Sequence, residues 1–190
     1  VNCIMGLLST AGGVIDFDNR SLKGCPSHQV AQSGIGIVPE GRGIFPNLTV
    51  DEQLQAFAIP RDSDLKRWTV QGVLELFPNL AKRRNSFGNQ LSGGEQQMLA
   101  IGRALVTNPI LLILDEATEG LAPLVRQEIW RCLEKLKREG LSILVIDKNV
   151  SDLTRIADQH FIVEKGRTVW SGDSIALQND ASISARYLGL

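Results

Sequence analysis

The chain has 190 residues and a formal net charge of −1 at pH 7, enough for one domain, or one domain with a small lobe, at roughly 100–200 residues per domain. Balanced charge excludes a dedicated nucleic-acid binder built on a basic stripe, and it excludes an acidic disordered tail. Three scattered cysteines and two histidines exclude a close-spaced zinc site and a secreted disulfide framework, and they fit thiols kept reduced. No apolar run approaches the roughly 18 residues of a membrane span, and no charged-then-apolar leader is visible.

In chain order, Val1–Leu8 reads as the end of a helix, and the Gly12-Gly13 pair breaks it. Val14–Asp18 reads as a short strand that turns at Asp18-Asn19. Ile35–Val38 is a second strand, stopped by Pro39. Thr49 and Glu52 form a Thr-x-x-Glu capping box, so a helix starts near Thr49. Asp64–Phe77 reads as another helix, and Pro78 to Gln90 as a loop that includes Lys82-Arg83-Arg84. The stretch 49–90 is therefore a helical insertion without strands. Ser92–Val106 is helical and ends before Asn108-Pro109.

Ile110–Leu114 is a short continuous apolar run, the pattern of a strand buried on both faces of a parallel sheet. Pro123–Arg138 is an amphipathic helix whose Val125, Ile129, Leu133 and Leu136 recur at helical spacing. Ser142–Ile146 reads as a second buried strand and Ser151–Ala157 as a helix. His160–Glu164 and Arg167–Trp170 form a hairpin through Lys165-Gly166. Strand–helix–strand alternation in the middle of the chain predicts an α/β fold with a mostly parallel sheet.

Two short segments can carry chemistry. In Leu91-Ser92-Gly93-Gly94-Glu95-Gln96-Gln97, Ser92 caps a helix and the glycines leave its first N–H groups open to an anion. The same Ser92-x-x-Glu95 is also an ordinary capping box. In Leu111–Glu116 an apolar strand delivers Asp115 and Glu116 at its carboxyl end, where open α/β sheets bind ligands. One carboxylate can hold hydrated Mg²⁺ and the next can deprotonate a water, although a solvated acidic strand end has the same sequence.

Together, LSGGEQQ followed by a helix and then LLILDEATEGLAP resembles the signature, Walker B and D-loop order of ATP-binding cassette (ABC) ATPases. The resemblance covers essentially the whole chain. VPEGRGIFPNLTV (38–50), GEQQMLAIGRAL, EGLAP and the closing ARYLGL are similar to the second ATPase subunit of branched-chain amino-acid importers. The resemblance implies a P-loop NTPase-type fold with a helical subdomain over residues 1–190. It also implies a motor in which two subunits, identical or different, sandwich ATP and Mg²⁺ head to tail. Asp115 would then bind Mg²⁺ through water, and Glu116 would be the general base. Ser92, Gly93 and Gly94 would contact the nucleotide held by the partner, with Glu119, Gly120, Leu121 and Ala122 as the D-loop. The implied partners are transmembrane permease subunits and, indirectly, a periplasmic substrate-binding protein, with no nucleic acid. The implied location is the cytoplasmic face of the inner membrane.

Three departures qualify this resemblance. No G-x-x-x-x-G-K-[ST] occurs among the 190 residues, so the loop that cradles phosphates, the first strands and the adenine-stacking aromatic are expected upstream of Val1. The chain then reads as N-terminally truncated and inactive by itself. Glu40 stands at the Q-loop position, where the wider family has Gln; a carboxylate can still ligate Mg²⁺ but cannot donate a hydrogen bond. Lys148 stands at the switch position, where many members carry His; it can meet a γ-phosphate as a point charge or simply be a solvated lysine. The expected function is ATP hydrolysis driving import of branched-chain or related amino acids. The alternatives are a urea or lipopolysaccharide transport ATPase, a soluble cassette protein of DNA repair or translation, and a non-catalytic structural subunit.

Overall fold

The computed structural model describes residues 1–59, 68–179 and 183, in two compact units, Val1–Ile146 and Asp147–Leu190. In the first unit, the helix expected through Leu8 is a single turn. Gly6 N–H donates to the Cys3 carbonyl (3.3 Å) and Leu7 N–H to the Asn2 carbonyl (2.9 Å), the bond pair of a Schellman cap, with Gly6 at φ +65°. A Cβ on Gly6 would lie 2.4 Å from the Cys25 carbonyl oxygen, so both conformation and space require glycine there.

The strand expected from Val14 is confined to β1 (Asp16–Phe17), which pairs antiparallel with β2 (Arg20–Ser21). Asp18 and Asn19 join them at φ +49° and +59°, the left-handed pair that suits a two-residue hairpin. Helix α1 (Ser27–Gln32), which no periodic signal announces, has no side-chain cap and buries only Val30.

The central sheet is parallel throughout, with the order β3 (Ile35–Val38), β4 (Leu111–Asp115), β5 (Ser142–Ile146). It bears out the α/β expectation. Ile35 and Ile113, with Ile37 and Leu111, share one apolar cluster with Met5, Leu22 and Val30. Helix α5 (Gly93–Val106) packs against β3. Two residues beyond its end lies buried Asn108, which sits at φ +52°. The Asn108 side chain accepts from Trp68 N–H (2.6 Å) and donates to the carbonyls of Ile59 (2.9 Å) and Trp68 (3.2 Å).

Strand β5 corrects an expectation. It is not buried on both faces: Leu144 and Ile146 are 38% and 37% exposed. The exposure alternates along the strand, with Ser142, Leu144 and Ile146 exposed and Ile143 and Val145 half-buried, so one face of β5 is covered and the other is not.

Between β3 and α5 lie α2 (Val50–Phe57), α3 (Val70–Leu76), α4 (Pro78–Ala81) and a 3₁₀ turn at Gly88–Gln90, with no strand among the described residues. Thr49 and Glu52 make the expected reciprocal cap of α2. The helix expected from Asp64 begins at Val70, where Thr69 Oγ1 accepts from Gly72 N–H (3.0 Å); residues 64–67 lie outside the described residues. Pro78 was expected in a loop but opens α4. Its missing N–H costs nothing at a first helical position.

Helix α6 (Pro123–Arg138) follows the expected stripe and buries Ile129, Trp130, Cys132, Leu133 and Leu136. Burial pushes the Cys132 thiol up to about 12, so it serves as a small apolar group.

The second unit holds α7 (Val150–Ile156), the hairpin β6 (His160–Glu164) and β7 (Arg167–Gly172), and α8 (Ser174–Asn179). Lys165 and Gly166 close the hairpin at φ +49° and +77°. His160 Nε2 lies 2.8 Å from Ser174 Oγ, which donates to the Ala157 carbonyl at 3.1 Å.

Candidate functional site

The parallel register decides which candidate residues share an edge. Val38 pairs with Leu114, so Glu40, two residues beyond β3, and Asp115-Glu116 leave the sheet from the carboxyl ends of adjacent strands. Ligands of open α/β sheets gather at that edge. Asp115 is still in register with Ile146. Glu116 then departs from strand geometry at φ +51°, with its N–H held by the Ile146 carbonyl (2.9 Å) and its carbonyl accepting from Glu119 N–H (3.2 Å). A non-glycine residue in the left-handed region costs on the order of 1–3 kcal/mol, and such strain concentrates at functional sites. Glu40 itself is exposed.

Gly120, at φ +68°, turns the chain after Glu119, and Leu121 is buried at 9% exposure. Ala122 then precedes Pro123 at the start of α6. Residues 119–122 therefore form a tight connection between the β4 carboxylates and a long helix.

Ser92 caps α5 reciprocally: Glu95 N–H donates to Ser92 Oγ (3.3 Å) and Ser92 N–H donates to Glu95 Oε2 (2.8 Å). Glu95 Oε1 also lies 3.4 Å from Arg83 Nε. Ser92 is exposed and Gly93 half-buried. Gly94 is buried, and a Cβ on it would lie 2.6 Å from Val125 Cγ1. The glycine therefore has a packing reason that the sequence did not disclose: the turn of Ser92 and Gly93 rests on the first turn of α6, directly after residues 119–122.

A second neighbour also went unannounced. Arg42, two residues past Glu40, donates through Nη1 to Gln96 Oε1 (3.2 Å) and lies beside Gly93. Only the run Gly41-Arg42-Gly43 hinted at an unusual turn. Lys148 belongs to the second unit, where its carbonyl accepts from Val150 N–H (3.0 Å).

Among the described residues, no group of three or more His, Cys, Asp or Glu side chains converges on a common point. Mg²⁺ binds through one or two carboxylates plus water and phosphate oxygens rather than in an all-protein cage, so one or two carboxylates at a sheet edge are donors of a kind it accepts. Glu40, Asp115 and Glu116 are the carboxylates that the β3 and β4 ends bring to this edge.

The profile of the ABC transporter family matches residues 1–119. The high-affinity branched-chain amino acid transport ATP-binding protein BraG of Pseudomonas aeruginosa is 39% identical over 186 residues, 98% of this chain and 80% of that protein. The lipopolysaccharide export system ATP-binding protein LptB of Haemophilus influenzae is 33% identical over 189 residues, 98% of this chain and 78% of its own length. Among solved structures, a nucleotide-free ATP-binding cassette from an ABC transporter superposes with a TM-score of 0.80 at 24% identity, covering all of this chain and 82% of that one. At that identity the likeness speaks for the fold.

Proposed function

The chain belongs to the ABC transporter family as an ATP-binding subunit, and from that premise we propose that it drives import of branched-chain or related amino acids by hydrolysing ATP. The observation that carries the catalytic part is Glu116, held in a left-handed conformation at the carboxyl end of β4, next to Asp115. The substrate class is supported by the higher identity to BraG than to LptB.

In this reading Asp115 holds a hydrated Mg²⁺, with Glu40 as a further carboxylate. When bound, the metal neutralises charge developing on the β- and γ-phosphates. Glu116 accepts a proton from a water whose oxygen attacks the γ-phosphorus, while the bond to the bridging oxygen breaks and ADP departs. Ser92 Oγ and the N–H groups of Gly93 and Gly94 face the nucleotide of a second cassette, identical to this chain or different from it. Residues Glu119, Gly120, Leu121 and Ala122 tie that face to the carboxylates. By its place in the sequence alone, Lys148 is the residue proposed for the switch role. No helix among the described residues is long and apolar enough to cross a membrane; the proposed subunit docks peripherally, as family membership implies. Its partners are permease subunits at the cytoplasmic face of the inner membrane, with a periplasmic binding protein acting indirectly.

The test is transport. Cells with the gene disrupted should lose uptake of labelled leucine and recover it on complementation, whereas complementation by a Glu116→Gln copy should fail. Unchanged leucine uptake with defective lipopolysaccharide export would assign the subunit to the LptB-like reading instead.

A further inference from the structure

We propose that Arg42 is a positioning residue, which acts through Gln96 to hold the Ser92–Gly93 turn in place and ties that turn to the loop of Glu40. The proposal rests on the reading that this turn faces a nucleotide. Three consecutive residues, Gly41, Arg42 and Gly43, have φ of +76°, +66° and +58°. Gly43 N–H closes back onto the Gly41 carbonyl at 2.7 Å, which makes Arg42 the centre of a tight γ-turn. Glycines accept that backbone freely; the arginine between them does not. The strained residue is also the one whose side chain reaches α5.

The contacts form a chain. Arg42 Nη1 donates to Gln96 Oε1 at 3.2 Å. Gln96 Nε2 in turn donates to the carbonyls of Leu91 (3.3 Å) and Gly88 (3.2 Å), and Leu91 immediately precedes the Ser92 cap. A Cβ on Gly93 would lie 3.1 Å from Arg42 Nη1, so the guanidinium sits against the turn itself. The same loop is gripped a second time: Arg103, also on α5, donates to the Gly43 carbonyl at 2.6 Å. Its guanidinium carbon lies 4.5 Å from the Phe57 ring centroid and 5.1 Å from that of Phe45. Arg103 anchors the loop along the helix, which leaves Arg42 free to set the helix start. The side-chain hydrogen bond from Arg42 to α5 is the one to Gln96, so its effect passes through Gln96.

Residue-resolved hydrogen exchange of the full 190-residue chain tests this. Arg42→Ala should speed exchange of the Leu91, Ser92 and Glu95 amides about tenfold, the scale of one charge-assisted hydrogen bond, and leave residues 99–106 unchanged. Gln96→Ala should do the same, the double variant should be no faster than Gln96→Ala alone, and Arg42→Lys should restore most of the protection. Exchange within about twofold of the parent in Arg42→Ala overturns the proposal. So does uniform acceleration along α5 with a lowered Tm, the mark of a merely structural arginine. If Arg42→Ala does not fold, Arg42→Lys set against Gln96→Ala decides the same question. A separate arm measures MgATP-dependent association with a cassette that carries a P-loop. If the parent shows none, the nucleotide-facing reading fails, while the exchange result still decides the role of Arg42.

Discussion

Gly94 backs directly onto Val125, so closely that a Cβ on the glycine would lie 2.6 Å from Val125 Cγ1. The contact joins the start of α5 to the start of α6, and thus the Ser92 turn to residues 119–122. Alanine normally gains about 1 kcal/mol over glycine at a helical position. Here the sign reverses, because overpacking costs about 1–3 kcal/mol. Gly94→Ala should therefore lower stability in urea unfolding. Val125→Ala opens the space, so Gly94→Ala/Val125→Ala should be no less stable than Val125→Ala alone. A simple sum of the two single losses would mean that the residues do not interact.

Glu116 carries the chemical prediction. In the assembled ATPase, Glu116→Gln removes the proposed proton acceptor and keeps size and backbone, so binding should persist while turnover falls on the order of 10²–10⁴-fold. Steady-state hydrolysis within about threefold of the parent would remove Glu116 from the role of base.

The face between Glu40 and Gln90 should meet the permease. Phe45 and Phe87 are 41% and 45% exposed there, an arrangement that suits an apolar partner segment. Single cysteines at Asn47 or Phe87 should cross-link to permease subunits in membranes. Cross-links that form only from the β6–β7 hairpin would refute the assignment.

His160 gives a pH prediction. Burial holds its pKa below the ordinary value, and Asp173 opposes the shift. The folded second unit therefore binds this proton less readily than the unfolded chain does. The stability involved is fully present above about pH 6.5 and is lost as pH falls from there through the lowered folded value. Chemical unfolding of the parent should show that loss, and His160→Asn should flatten it. Equal slopes in both proteins would show that His160 does not contribute.

What the sequence disclosed was local. β4 and α6 followed from apolar runs and helical spacing. The Thr49 and Ser92 caps followed from residues three apart, and Asp115 and Glu116 from their place after an apolar strand. What it hid depends on distant partners or on backbone state. Arg42 and Gln96 are 54 positions apart and meet because of a left-handed turn. The packing of Gly94 against Val125, 31 positions on, has no signal in the sequence around either residue. β5 has the composition of a strand buried on both faces, but its exposure depends on what packs against each face. Pro78 reads as a breaker, although the first position of a helix tolerates it.

The final prediction concerns nucleotide binding by the 190 residues themselves. They contain no G-x-x-x-x-G-K-[ST], the loop that would give several backbone N–H groups and a lysine to the β- and γ-phosphates. Charge-assisted hydrogen bonds of that kind contribute roughly 1.5–3 kcal/mol each. Three or four of them match the roughly 8 kcal/mol that corresponds to micromolar affinity. The groups at the sheet edge do not replace them. Asp115 and Glu40 are carboxylates that repel phosphate unless a metal stands between, and such a metal is itself held largely by the nucleotide. The donors of the Ser92–Gly93 turn serve a second cassette in the proposed arrangement. Calorimetric titration of the 190-residue chain with MgATP should therefore give no measurable heat of binding. A dissociation constant at or below about 10 μM, roughly −7 kcal/mol, would mean that this chain holds phosphate through groups other than a P-loop.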